Sequence, residues 1–177
     1  MSRFPADFDG RIGEGWSGFD PDGAHVNVVL AQRGSPTAAS LLGTFTSPAP
    51  GHAPILVVLG ATKHEYEPVW PPTIMINKAT ALEDRHQTIT WGAGQLGIGQ
   101  GVLDAVAEEL IPCSGDVLVF VAIYIDPEAS DETKVRISSR AATLKGIRTA
   151  VLGRDPDAAR SLVERRDSIR NPFYGGD

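Results

Sequence analysis

The chain has 177 residues, a length that suits one domain with a sizeable core. Hydrophobic residues make up 42% and charged residues 21%, and the net charge of -6 excludes a nucleic-acid or anionic-membrane surface as the main partner. A single cysteine, Cys113, excludes an internal disulfide and points to a reducing compartment.

Residues 1–10 are polar, carry Pro5 and Gly10, and read as a flexible lead-in. They lack the basic start and apolar stretch of a secretion signal. The longest apolar run, Val117 to Ile125, is far short of the roughly 20 residues that cross a bilayer. A cytoplasmic protein is the expectation. The first regular element is a strand at Ala24–Leu30, with His25, Asn27 and Val29 on one face and Val26, Val28 and Leu30 on the other. Ser35 and Pro36 supply a helix cap and first turn, and that helix runs to about Ser47, before Pro48. Pro54–Leu59 reads as a buried strand. Residues 60–72, with His64, Tyr66, Pro68, Trp70, Pro71 and Pro72, read as irregular. Thr73–Thr80 reads as a strand that sets Ile76, Lys78 and Thr80 on one face.

A helix follows from Leu82, broken around Gly92–Gly101, and continues to Ile111. Val117–Ile125 is a central strand. Asp126-Pro127-Glu128 repeats the cap-plus-proline start and leads into a helix to about Leu152, stopped by Gly153. Asp155-Pro156 opens a last helix ending near Asp167. Strands and helices do not alternate strictly. The fold class is therefore α+β, a mostly antiparallel sheet with helices packed on one face.

Three patterns invite a chemical reading. Gly92, Gly94 and Gly97 match the G-x-G-x-x-G string of dinucleotide sites, but a helix precedes it where a core strand is needed. Close helix packing is the better explanation. The four histidines and Cys113 lack metal-ligand spacing, so a metal site from His52, His64 and Glu65 is improbable. His52 and His64 read as surface loop residues. His25, opening a strand after a Gly- and Asp-rich loop, and Lys78, on an apolar strand, are the two oddities. Each is either a structural residue or a proton-active group facing a site.

Several strings together, in order and with little need for gaps, resemble the formaldehyde-activating enzyme family. They are GEGWSGFDPDGAHVNVVLAQRGSP (13–36), GHAPILVVL (51–59), PPTIMINKAT (71–80), WGAGQLGIGQGVLDAVAEELIP (91–112), YIDPEASDETKV (124–135) and IRNPF (169–173). The similarity covers about residues 11–173, read as one domain with a short tail at 174–177. G-S-P, N-K-x-T and G-x-x-Q are its most specific motifs.

The resemblance implies a ribosomal-protein-S5-domain-2-like fold and a homopentamer with a pterin cleft between neighbouring subunits. It implies condensation of formaldehyde with tetrahydromethanopterin, the reduced pterin acting as co-substrate and with no metal or tightly bound cofactor. By the same likeness the catalytic position falls on His25, and the pterin-contacting positions on Asn27, Leu56, Lys78, Thr80 and Gln95. A histidine near its ordinary pKa of about 6.5 suits a general acid for loss of water from a carbinolamine. Two adjacent strands carrying His25 and Asn27, and Lys78 and Thr80, would aim four polar groups into one cleft. Leu56 would add an apolar wall and Gln95 an amide for the ring edge.

The chain departs from the family pattern at several places. H-I-D becomes His25-Val26-Asn27, F-G-P-A-Q becomes Trp91 to Gln95, a histidine-tryptophan pair becomes Asp126-Pro127, and H-P-F becomes Asn171-Pro172-Phe173. Tyr66 and Trp70 stand in a loop that is plainer in the family. These changes leave open a divergent paralogue that uses another pterin, a folate, or another aldehyde or amine. A non-enzymatic protein that binds formaldehyde or pterin is the third possibility.

Overall fold

A computed structural model describes residues 4–62 and 64–171. Met1 to Arg3, Pro172, Phe173 and the tail at 174–177 lie outside them, so the end of the IRNPF string is not described. The elements are β1 (Ile12–Ser17), β2 (Ala24–Gln32), α1 (Pro36–Leu42), β3 (Ile55–Leu56), β4 (Val58–Thr62), β5 (Glu65–Pro68), β6 (Thr73–Asn77), α2 (Asp84–Thr88), α3 (Gln95–Ala107), β7 (Val117–Ile125), α4 (Glu132–Leu152) and α5 (Pro156–Glu164). Five strands form one sheet in the order β1-β2-β7-β6-β3. Only the β6–β7 pairing is parallel. The α+β, mostly antiparallel expectation holds.

The alternation in β2 decides which face is buried. Val26, Val28 and Leu30 are fully buried with Val119, Val121 and Ile123 of β7, beneath α3 and α4. The opposite face carries His25, Asn27 and Val29. At one end of that face α1 packs Ala38 and Leu41 onto Ile74 and Phe120, so one short helix lies on the second face.

β1 escapes a pattern-based reading because its core-facing residues are glycines. A Cβ on Gly13 would lie 2.0 Å from the Gly146 carbonyl oxygen, and one on Gly15 would lie 2.0 Å from that of Ala142. The α4 backbone rests directly on the strand, and the small residues Ala142, Gly146 and Ala150, one turn apart, form the matching stripe. The same logic explains Gly97, the last glycine of the 92–97 string, whereas Gly92 faces open space and Gly94 faces the Ile125 side chain. A Cβ on Gly97 would meet the Arg136 carbonyl at 2.4 Å, and farther along α3 one on Gly101 would meet that of Arg140 at 2.6 Å. They let α3 approach α4.

Other expectations shift. The segment read as one buried strand at 54–59 is split between β3 and β4, and β4 pairs with β5 as a hairpin inside the stretch expected to be irregular. α1 ends at Leu42 and a 3-10 turn, Gly43–Thr46, completes the expected span. The break expected at Gly92–Gly101 is a π-helical turn, Ile89–Gly94, that joins α2 to α3. Asp126-Pro127 makes a turn rather than a helix start, with Asp126 Oδ1 accepting the Glu128 N–H at 2.8 Å. Asp131 caps α4 instead, accepting the Lys134 N–H, and Asp22 holds the preceding loop through the Ser130 and Asp131 N–H groups. Those two bonds, the Asp131 one first, hold the Asp22 carboxyl below its ordinary value. Near the start of the chain, Phe4 and Phe8 pack against the core and Asp9 accepts bonds from the Gln32 N–H, Ser35 and Thr37.

Candidate active site

β1, β2 and β7 set the register of the open face. Trp16 lies opposite His25 and His25 opposite Tyr124, while Glu14 lies opposite Asn27 and Asn27 opposite Ala122. β6 follows on the far side of β7, with Ile76 opposite Ala122. The strands bearing His25 and Lys78 are therefore not adjacent, as the sequence reading supposed. Lys78 stands just past the end of β6, its N–H bonded to the Ile123 carbonyl, and its side chain reaches across β7. Ala122, a small side chain on this face, leaves room for that crossing.

Lys78 Nζ ends 2.7 Å from His25 Nδ1 and 2.9 Å from Asn27 Oδ1. His25 Nε2 lies 3.0 Å from Glu14 Oε1. Four polar residues from three strand regions thus form one chain, Glu14–His25–Lys78–Asn27. An ammonium can only donate, so while Nζ holds its proton His25 Nδ1 accepts. Burial pulls the Lys78 amine below its ordinary value, and the Glu14 carboxylate offsets part of that effect. The Lys78 ammonium is accordingly less costly to deprotonate than that of a solvated lysine.

The Trp16 ring lies against His25, with centroids 5.8 Å apart and a 40° tilt. Tyr124 flanks the histidine from β7. Its phenol is raised above its ordinary value, first by burial and then by Asp126. Beyond Asn27 the face continues into a small apolar pocket of about 110 Å³, lined by Asn27, Leu41, Ile74, Ile76 and Phe120 among others. Leu56 pairs with Ile74 and is 41% exposed on the same side of the sheet.

The remaining predicted positions stand apart from the chain. The strand expected to reach Thr80 stops at Asn77, and Thr80 is exposed after a bend. Thr80 Oγ1 bonds to His52 Nε2 at 3.0 Å, while His52 Nδ1 donates to the Asn77 carbonyl at 2.9 Å. His52, read as a plain surface residue, thus ties the 51–52 turn to the segment carrying Lys78. Asn77 secures the same segment from the core side, donating to the Gly51 and Ala79 carbonyls. Gln95 opens α3. Its amide oxygen accepts the Val58 N–H at 2.9 Å and its nitrogen donates to the Trp91 carbonyl at 2.8 Å. One lone pair and one N–H of that amide remain.

Sequence reasoning missed Glu14, His52 and Asn77. The signal for Glu14 was available only with β1 in register, because Glu14 is an outward residue between two glycines. Among the described residues no cluster of three or more His, Cys, Asp or Glu side chains is placed to hold a metal ion. No helix among them is long and apolar enough to cross a membrane.

Residues 12–174 match the family model described as formaldehyde-activating enzyme. The chain is 30% identical over 164 residues to a 5,6,7,8-tetrahydromethanopterin hydro-lyase of Methanosarcina barkeri, covering 92% of this chain and 89% of that protein. It is 29% identical to the bifunctional enzyme Fae/Hps of Methanosphaera stadtmanae and 30% identical to that of Archaeoglobus fulgidus, over 93% of this chain in each case. The chain spans only 40% and 41% of those two bifunctional proteins.

Proposed function

This chain belongs to the formaldehyde-activating enzyme family, and from that premise we propose that it condenses formaldehyde with a reduced pterin of the tetrahydromethanopterin type. The observation that carries the reading is the Glu14–His25–Lys78–Asn27 chain, which joins three of the positions named by the family resemblance and sets the Lys78 amine 2.7 Å from a ring nitrogen of His25.

The chemistry asks for little more. A pterin ring nitrogen adds to formaldehyde and gives a carbinolamine. Loss of its hydroxyl as water needs a proton, which the Lys78–His25 pair supplies. The second pterin nitrogen then closes the methylene bridge and returns a proton to the pair, so one water leaves and the protein is unchanged. The addition also proceeds in water, so holding both reactants together supplies much of the acceleration. In this reading Leu56 and the small apolar pocket receive the flat face of the pterin, and Thr80 and the unused half of the Gln95 amide contact its polar edge. The pterin is a co-substrate, no tightly bound cofactor takes part, and the protein acts in the cytoplasm as a homopentamer whose neighbouring subunit closes the open face.

Asn27 favours a second reading, an acceptor other than tetrahydromethanopterin. Its oxygen is committed to Lys78 and it brings no charge, where the family pattern has an aspartate. Formaldehyde loss measured with a panel of reduced pterins and folates separates the readings. Tetrahydromethanopterin is expected to give the largest gain over the spontaneous rate. A larger gain with another acceptor would favour the second reading, and no gain with any would rule out both.

A further inference from the structure

Glu14 has no part in the residue assignments that the resemblance supplies, yet it is the residue that meets the outer nitrogen of His25. Its carboxylate is 60% exposed on the edge strand β1, and Oε1 lies 3.0 Å from Nε2. The other ring nitrogen faces Lys78 Nζ at 2.7 Å. A neutral imidazole carries one proton and has two tautomers. A carboxylate can only accept, and so holds the proton on Nε2. The ammonium can only donate, and so requires a bare Nδ1. Both neighbours select the same tautomer. Tyr124, the other titratable group facing the ring, sends its hydroxyl to Asp126 instead.

We propose that Glu14 is a positioning residue that fixes His25 as its Nε2–H tautomer, so that the proton used in the reaction travels through the Nδ1–Nζ pair and not through Nε2. The proposal rests on the pterin-condensing reading for its catalytic meaning, but the tautomer itself is a property of the free protein. Glu14 therefore acts through His25 and touches no reactant. Because its side chain is largely in solvent, its removal leaves the fold intact.

Nitrogen NMR of the histidine rings reads the tautomer directly, with His25 assigned by the signals lost in His25→Ala. The wild-type ring is expected to show a protonated Nε2 and a bare Nδ1. Glu14→Gln, whose amide oxygen still accepts, keeps that pattern. In a Lys78→Met background, where Glu14 is the remaining neighbour that selects a tautomer, the ring keeps the Nε2–H form, and adding Glu14→Ala shifts both ring nitrogens toward a mixture of tautomers while backbone amide signals away from β1 and β2 stay in place. A wild-type ring protonated at Nδ1, or a Lys78→Met ring that adding Glu14→Ala leaves unchanged, would overturn the proposal. In turnover assays, Glu14→Ala is expected to lose roughly 10–100-fold in kcat with KM little changed, and Glu14→Gln to recover most of it. If none of the proteins turns over, the pterin reading fails, and the ring spectra alone still decide the role of Glu14.

Discussion

Lys78 illustrates how a residue that looks anomalous in a sequence becomes explicable once its partners are known. A lysine after an apolar strand was legible as an oddity. Its partners were not, because they lie on β2, two strands away, and only the sheet order brings them within reach. Burial lowers its amine below the ordinary 10.5. The folded protein then binds fewer protons than the unfolded chain between that lowered value and 10.5, so stability rises with pH across this window. Lys78→Met is expected to flatten the rise, as urea unfolding at several pH values would show; an unchanged slope would contradict it. Asn27→Asp places a carboxylate where the amide oxygen now accepts from Nζ, which stabilises the ammonium. An NMR titration of the Lys78 ε-carbon is expected to give a higher midpoint in this variant, and a midpoint equal to or below wild type would contradict the geometry.

At the scale of elements, the alternation of β2, the apolar run of β7 and the Ser35-Pro36 helix start were all readable, because each is a local pattern with a local cause. β1 was not. Its Gly13 and Gly15 answer to a helix more than 120 residues later in the chain, so nothing near them announces a strand. The start of α4 was misplaced for a related reason: Asp126-Pro127 and Asp131 are both plausible caps, and the long-range bonds from Asp22 single out the second. The β1–α4 contact makes a sharp prediction. Gly15→Ala forces a methyl group against the Ala142 carbonyl and is expected to cost about 1–3 kcal/mol, seen as a lower urea midpoint. Since β1 also carries Glu14 and Trp16, the same substitution should disturb the His25 ring signals. A midpoint equal to wild type would mean that the strand and helix are not in backbone contact.

The whole molecule divides its sheet between two duties. One face is sealed by α3 and α4, which provides the stability. The other carries α1 at one end and leaves the Glu14–His25–Lys78–Asn27 chain partly open. This asymmetry leaves a connected polar chain accessible on a rigid scaffold. Three of the four members of the polar chain were legible: His25 and Lys78 as unusual residues on strands, and Asn27 through the family resemblance. Glu14 was hidden by the glycines around it. If a neighbouring subunit closes the open face, sedimentation should give a particle of five times the 18.8 kDa chain; a monomer at micromolar concentration would contradict that part of the proposal.

The central claim, that this site activates formaldehyde for a reduced pterin, is tested most directly by following methylene-pterin formation in a stopped-flow mixture of formaldehyde and tetrahydromethanopterin. With the wild-type protein the rate is expected to exceed the uncatalysed reaction clearly, and with His25→Ala to fall back to it. A wild-type rate equal to the uncatalysed one, or a His25→Ala rate equal to wild type, would contradict the account.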